Sequence, residues 1–517
     1  MNNTINIYDT TLRDGAQMEG VNFSIDDKIK IAEKLNNFGV DFIEGGWPGS
    51  NPKDEKFFHE IKKKKFEKEI VAFSATVLKN KKPETDFLIQ KVLDAETKWV
   101  TIFGKSWDLH TREILKISDS AALELIRKTI KFFIKNKRKV IFDAEHFFDG
   151  FKNNPKFALD CLKTAEKSGA ANLTLCDTNG GTLPDEVGEI FRAVKKEIKT
   201  PLGIHAHNDS GVAVANSLAA VEEGTALVQG TFGGLGERAG NADLGAITAD
   251  LQIKKKFKII PPGKLAGLAQ LTNFIFETAN LPPPKNLPFV GANAFTHKGG
   301  IHASAVRKNP KSYEHIDPKI VGNFSRITIS ELSGKSNVVA VARRLGFKLS
   351  PDAPRTREIL AEVKSLENAG FYFETAEASF ALLVLRSQKN YKKPFEVLDY
   401  FVANSKNGEA TATVKLKVGS EAREYSAGGN GPVNALDRAM RRAVAKFFPE
   451  IANVELKDYK VRILDSDAAT AAKTRVLVES SNGRENWATV GCSENIIEAS
   501  WLALVDSLEF AIWRTEK

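Results

Sequence analysis

The sharpest chemical signature in this sequence is a pair of histidines at spacing i, i+2, His205 and His207 in the segment HAHND. Side chains on a β-strand alternate between faces, so on a strand the two imidazoles project from one face roughly 7 Å apart. That is half of a metal site, and an isolated His-x-His pair is equally often structural. Asp14, after the run INIYD, and Asn241, in the glycine-rich GTFGGLGERAGNADL, are the further donors if the fold brings these segments together. Two imidazole nitrogens and one carboxylate, with an amide oxygen as an optional fourth ligand, suit a divalent ion such as Mn²⁺, Co²⁺ or Zn²⁺, or Mg²⁺ if water fills the shell.

A cation held this way keeps open positions. A 2-keto acid can chelate it through one carboxylate oxygen and the keto oxygen, which polarises the carbonyl for attack by a carbon nucleophile. Arg13 stands next to Asp14 and is either the donor that stabilises the developing alkoxide or the ion-pair partner of Glu44 or Asp177. Thr178 either holds a substrate carboxylate or serves a helix cap. A carbon nucleophile has to be made by a tuned base. The candidates are Glu145 and, further along, His297, His302 and Tyr313 in the polar segment FTHKGGIHASAVRKNPKSYEHIDPKIVG, whose adjacent glycines permit close approach and motion over a site. The segment GTFGGLGERAGN is not a phosphate loop, because no Lys-Ser or Lys-Thr follows its glycines. It reads as a loop that carries Glu237 and Asn241 to the metal.

Eight short apolar or β-branched runs must position these residues: INIYD, DFIEG, IVAFSAT, WVTIFG, KVIFDAE, NLTLCD, PLGIHAH and ALVQGTF. Amphipathic helical segments such as SIDDKIKIAEKLNNF separate them, which is the βα alternation of a closed eight-stranded barrel or of a doubly wound open sheet. In a barrel the reactive residues sit where strands end at the C-terminal face. Arg13, Asp14, Glu44, Glu145, Asp177, Thr178 and the two histidines all follow or end such runs. Closure also makes the ends of runs seven, eight and one neighbours, which gathers His205, His207, Asn241 and Asp14. The expected architecture is therefore α/β: a TIM (β/α)8 barrel over residues 1–265, a helical linker and lid region over 266–388 that contains the linker LPPPKNLP, and an α+β domain over 389–517. In that last region ATATVKLKV, YKVRILD, TRVLVES and ATVGCSE read as strands, and NALDRAMRRAVAKFF and IIEASWLALVDSLEFAI as helices. The glycine-rich SAGGNGP opens onto the first of these helices as a turn or as a seat for a carboxylate.

With 517 residues, 42% apolar and 27% charged, the chain has the composition of a globular protein of two or three domains. No run of 18 apolar residues and no secretory signal pattern is present, which predicts a cytoplasmic protein without a membrane partner. The net charge of +9 is spread over many segments rather than clustered with aromatics, so nucleic acid is not an expected partner. Cys161, Cys176 and Cys492 have no metal-type spacing and read as packing residues.

The segments YDTTLRDGAQ, IEGGWPGSNPKD, LCDTNGGTLP, HAHNDSGVAVANSLAAVEEG, GTFGGLGERAGNADL, HKGGIHASAV and GNGPVNALDRA resemble, over nearly the whole chain, the family of 2-isopropylmalate, homocitrate and citramalate synthases. EGGWPGSNPKD, ILDSDAATAAKTRVLVES and TVGCSENIIEASWLALVDSLEF look most like the citramalate-forming branch. The resemblance implies an acyltransferase that condenses acetyl-CoA with pyruvate on the way to isoleucine, with 2-isopropylmalate synthase and, further off, an acyl-CoA lyase as alternatives. It implies a divalent metal on Asp14, His205 and His207 with Asn241 completing the site. Arg13, Thr178 and Glu44 then bind substrate, Arg13 and Glu145 act in catalysis, and His302 with Tyr313 reach in from the lid segment of the partner subunit of a homodimer. The C-terminal region is then an allosteric domain that binds isoleucine. The family's lyase relatives use a cysteine in the loop after strand eight, and this loop has none.

Overall fold

The computed structural model describes residues 5–406 and 408–515; residues 1–4 of the expected barrel region, and 407, 516 and 517 of the expected C-terminal region, lie outside them. The eight apolar runs become eight parallel strands: β1 (Asn6–Asp9), β2 (Phe42–Gly46), β3 (Glu69–Ala75), β4 (Trp99–Lys105), β5 (Lys139–Glu145), β6 (Asn172–Asp177), β7 (Leu202–Ala206) and β8 (Leu227–Gly230). Each pairs with the next, and β8 closes on β1 through Asn6↔Leu227 to Asp9↔Gly230, so the sheet is a barrel and not an open layer. The runs are continuously apolar because parallel strands inside a helical shell are covered on both faces; every residue of β2, β6, β7 and β8 is buried.

Helices α1 (Ile25–Phe38), α2 (Pro52–Ile61), α3 (Phe87–Asp94), α4 (Asp119–Lys135), α5 (Phe147–Asn153), α6 (Pro155–Lys167), α7 (Pro184–Glu197), α8 (Ala213–Glu222) and α9 (Leu244–Ala249) make the shell. Their ends are written locally. Ser24 and Asp27 form a capping box at the start of α1, and Gly39 ends it at φ 109, where a side chain would be strained. Apart from the strand–helix core, Tyr8, Phe42, Val71, Ile141 and Leu227 pack with Trp99 as a separate cluster that fills the barrel. Helix α10 (Leu268–Thr278) packs on α1 and belongs to the same compact unit, which comprises residues up to Phe295 together with Ile316–Phe324. Asn323 ties the latter piece in by donating to the carbonyls of Phe289 and Gly291, each at 3.0 Å.

The second unit is Thr296–His315 with 325–517. It begins with the short parallel pair β9 (Thr296–His297) and β10 (Arg326–Ile327) and the helices α11 (Gly300–Lys308), α12 (Lys335–Arg344), α13 (Pro354–Asn368) and α14 (Glu377–Arg386). Two βββα halves follow: β11 (Glu396–Ala403), β12 (Ala410–Val418), β13 (Glu421–Gly429) and α15 (Pro432–Ala445), then β14 (Glu455–Ile463), β15 (Thr474–Ser481), β16 (Asn486–Ser493) and α16 (Ile496–Thr515). The likeness of the two halves is this repeated topology. Strands β11 and β13 were not among the runs read as strands; no residue of β11 and only two of β13 are buried. The glycines of SAGGNGP partly belong to β13. A Cβ on Gly429 would stand 2.6 Å from the backbone nitrogen of Ala435, so glycine here serves a close approach of strand to α15. Among the described residues no helix is long and apolar enough to cross a membrane. All three cysteines are free and buried.

Candidate metal centre and active site

At the C-terminal mouth of the barrel, the chain leaving β1 turns at once. Thr10 donates its N–H to the carbonyl of Gly230 at 2.8 Å, and the backbone and hydroxyl of Thr11 both donate to the buried carboxylate of Asp9 at 3.0 and 2.8 Å. Burial pushes the Asp9 carboxyl up to about 7 against these bonds. The turn delivers Arg13 and Asp14 over the barrel axis.

Asp14, His205 and His207 come together there, all buried, with one candidate ligand atom of each within 4.8 Å of the others. The histidine rings lie on one face of β7 and its extension, 5.1 Å between centroids. Asp14 Oδ2 accepts from Arg13 Nη1 at 3.0 Å and lies 3.4 Å from His205 Nε2, while Asn241 Nδ2 donates to Asp14 Oδ1 at 3.1 Å. Burial disfavours the Asp14 anion, yet Arg13 and His205 outweigh it and hold this carboxyl well below its ordinary range. Burial also opposes charge on His207 and, with His205 beside it, lowers it to about 4, so this ring offers neutral nitrogen lone pairs.

The tautomer of His205 follows from its partner. Gln229 Nε2 donates to Asp143 Oδ1 at 2.9 Å and Thr174 Oγ1 at 3.2 Å, so Gln229 Oε1 faces His205 Nδ1 at 3.0 Å and accepts its proton. Burial opposes charge on His205, but Asp14 and Asp143 outweigh it and raise its basicity, so Nε2 on the Asp14 side is the nitrogen that would exchange its proton for a cation. His207 Nδ1 and Asn241 Oδ1 are buried without a hydrogen-bond partner. Two imidazoles, one carboxylate and one orphaned amide oxygen converge, and this donor set fits a divalent cation.

The glycine-rich loop after β8 brings Asn241 into place by folding tightly: Gly240 sits at φ 90, and a Cβ there would lie 2.0 Å from the carbonyl oxygen of Gly234. Its Arg238 donates to Asp209 Oδ1 at 2.8 Å and to the Thr178 carbonyl at 2.7 Å, stapling the loop to the ends of β6 and β7.

The donors open into a cavity of about 220 Å³, whose lining includes Arg13, Glu145, Thr178 and Glu237. Arg13 pairs with Glu44, Nε to Oε2 at 2.7 Å, and its Cζ lies 3.9 Å from the Phe73 ring centroid. Burial works against the Arg13 charge, but Glu44 and Asp14 outweigh it and hold its proton more firmly than on a free guanidinium. Glu44 is fully buried; it accepts from Arg13 and from the Tyr8 hydroxyl at 2.8 Å and does not line the cavity. Thr178 Oγ1 accepts the His146 N–H at 2.8 Å, and Lys105 Nζ lies 2.6 Å from Glu145 Oε2. Asp177 accepts from the backbone and hydroxyl of Thr182, at 3.2 and 2.9 Å, and the ion-pair partners of Arg13 are Glu44 and Asp14 instead. His302 and Tyr313 lie in the second unit, both exposed, their rings stacked 4.2 Å apart; beside them His297 Nε2 is 3.2 Å from Glu314 Oε1.

Several cavity residues carried no signal strong enough to be singled out by sequence: Gln17, Trp47, Phe73, Phe103, Asp143 and Cys176. Cys176 is buried, as expected of a packing residue, and also lines the cavity. Asp143 is held up to about 6 by burial. A second carboxylate in β5, two residues before Glu145, was the available clue.

Fold and site together define a class: a closed (β/α)8 barrel with a divalent-cation donor set at its C-terminal mouth. Residues 4–275 match the HMGL-like family model, 289–370 the homocitrate synthase post-HMGL domain-like model, and 374–512 the LeuA allosteric (dimerisation) domain. The chain is 49% identical over 99% of its length to the (R)-citramalate synthase of Aquifex aeolicus, covering 98% of that protein, and 48% identical over 99% of its length to that of Geobacter sulfurreducens, again covering 98%. It is 32% identical over 99% of its length to the 2-isopropylmalate synthase of Methanocaldococcus jannaschii, covering 95% of it. The chain belongs to the HMGL-like family and, within it, groups with the (R)-citramalate synthases.

Proposed function

We propose that this chain condenses acetyl-CoA with pyruvate and hydrolyses the resulting thioester, giving (R)-citramalate and CoA for isoleucine formation. The observation that carries the reading is 49% identity across essentially the whole chain to a protein of that activity, against 32% to a 2-isopropylmalate synthase. Asp14, His205, His207 and Asn241 would hold the divalent ion, Mn, Mg, Co or Zn. When bound, the ion supplies Lewis acidity to the keto group.

The chain's own residues do the rest. Arg13, fixed over Phe73 by Glu44 and Asp14, presents its remaining N–H groups to the oxygen on which negative charge develops, and its fixed position means little reorganisation as that charge grows. Glu44 acts through Arg13 as its buried counter-ion. Thr178 receives the His146 N–H on its oxygen, which leaves its hydroxyl proton to donate to the keto-acid carboxylate. Glu145 is the catalytic carboxylate on the barrel. His302 and Tyr313 serve proton transfer at the acetyl methyl, reaching the site from the lid segment of the partner subunit in a homodimer. A dimer accords with the match to the LeuA allosteric (dimerisation) domain, and the region 389–517 takes isoleucine as effector. The enzyme works in the cytoplasm.

The test is release of free CoA with pyruvate, 2-ketobutyrate, 2-ketoisovalerate and 2-ketoglutarate. Pyruvate is expected to give the highest kcat/KM. Preference for 2-ketoisovalerate would make the enzyme a 2-isopropylmalate synthase, and no release with any of the four would reject a synthase.

A further inference from the structure

The segment EGGWP ends β2, and its glycines have steric causes. A Cβ on Gly45 would lie 2.4 Å from Phe57 Cε1, and Gly46, at φ 139, would put one 2.4 Å from Asp54 Oδ2. Asp54 in turn accepts the backbone N–H of Trp47 at 2.9 Å and is ion-paired with the buried Lys28. The backbone of Trp47 is therefore pinned to the start of α2, and its indole has one place to go.

That place is the aromatic wall of the site. Trp47 meets Phe73 and Phe103 edge-on, centroids 5.9 and 5.6 Å away at 83° and 86°, while those two rings stack on each other at 5.2 Å. Trp47 lines both the cavity of the metal donors and a neighbouring one of about 460 Å³ that also receives Gln17, Asn22 and Lys53. With Arg13 and Gln17 it borders both, and it is the only aromatic residue of the three. In the smaller cavity the charged and hydroxyl groups are matched to a carboxylate and a keto oxygen, and the three aromatic rings supply the large apolar surface left for an alkyl group.

We propose that Trp47 is a specificity-determining residue: its indole closes the keto-acid cavity on the side of the alkyl group and limits the acceptor to a short chain. The inference rests on the condensing reaction proposed above. One methylene in an apolar pocket is worth about 10- to 200-fold in kcat/KM, and 2-ketoisovalerate exceeds pyruvate by two carbons.

The full-length chain carrying Trp47→Ala or Trp47→Phe is assayed for CoA release with pyruvate and with 2-ketoisovalerate, and the binding of each keto acid is measured by calorimetry. Trp47→Ala should shift the kcat/KM ratio toward 2-ketoisovalerate by about tenfold or more, and Trp47→Phe, which keeps an aromatic ring and should fold if Trp47→Ala does not, should shift it in the same direction by less. Calorimetry should show the same ordering. A ratio within threefold of wild type in the folded variants overturns the proposal, even if kcat falls. Absence of turnover with either keto acid in the wild-type chain overturns the condensing reaction itself, and the role of Trp47 with it.

Discussion

Gln229→Leu tests how the metal ligands are oriented. Gln229 is fully buried and links three groups: it accepts from His205 Nδ1 at 3.0 Å and donates to Asp143 at 2.9 Å and Thr174 at 3.2 Å. Leucine has nearly the same volume, so little cavity is opened and the effect isolates the hydrogen bonds. Without an acceptor at Nδ1, the His205 proton is no longer held on that side and competes for Nε2, the atom that faces Asp14. Loss of such an orienting partner typically costs 10- to 100-fold in metal affinity, about 1.4–2.8 kcal/mol. Up to about 1–3 kcal/mol of folding stability should go as well, because the Nδ1–H and the Asp143 oxygen lose a partner in the interior. Mn²⁺ titration of the apo chain by calorimetry reads the first quantity, and chemical denaturation reads the second. At saturating Mn²⁺, kcat should remain within a few fold of wild type, since no group on the substrate has changed. A Mn²⁺ Kd within threefold of wild type, in a folded protein, would refute the orienting role.

Chelation should abolish CoA release and a divalent ion should restore it, and His207→Ala should lose Mn²⁺ binding and turnover together; full activity in rigorously metal-free protein would end the metal reading. His302→Ala should lower kcat while leaving Mn²⁺ and pyruvate affinity largely intact, as a proton-transfer group acts mainly in the transition state, and an effect on pyruvate KM alone would reassign it to binding. Isoleucine should bind the full-length chain in calorimetry and reduce its rate, which requires unequal affinity for two states of the enzyme; leucine binding alone would indicate 2-isopropylmalate synthase regulation. In the second unit, burial and the neighbouring Glu331 push Glu367 up to about 7. The folded state then holds a proton that the unfolded chain releases, so Glu367 should add stability as pH falls from about 7 toward 4.5. Wild type should therefore gain in Tm relative to Glu367→Gln, which does not titrate, as pH falls through that window, and a pH-independent difference would contradict the shift.

The barrel was legible because its signal is redundant. Eight apolar runs, each bounded by an amphipathic helix, leave few topologies, and the polar residues at the run ends mark one face. The approach of Asp14, His205, His207 and Asn241 follows from closure of β8 on β1 plus a period of two on β7. Gln229, Asp143 and Phe73 lie on strands where an inward and an outward residue look alike in sequence, and only the register separates them. A polar residue inside a buried strand was the usable clue for the first two. Strand β13 escaped for the opposite reason: a half-exposed strand in a small sheet carries charge, as at Glu421, Arg423 and Glu424, and has no apolar run to find. The exchange of Thr296–His315 and Ile316–Phe324 between the two compact units is a matter of contacts far apart in sequence, which no local pattern encodes.

The polar groups around the mouth divide into two sets with opposite energetics. Asp9, Glu44, Asp177 and Gln229 are saturated by protein partners and fix the backbone and the rings. His207 Nδ1, Asn241 Oδ1 and Trp47 Nε1 are buried and unpartnered, each costing roughly 1–3 kcal/mol if nothing binds. His146, between Glu145 and the first residue of α5, adds strain at φ 58, held by its ring 4.1 Å from His110 and by its N–H on Thr178. A fold does not keep such costs together at one end of a barrel unless the surrounding contacts over-determine them, and here the saturated set does so. Gln229 holds the His205 ring and Glu44 holds Arg13, so these groups are fixed in place by the protein alone. On the proposed function, binding of a cation and a keto acid would recover a cost already present in the apo fold, and less of the binding energy would be spent on ordering the site.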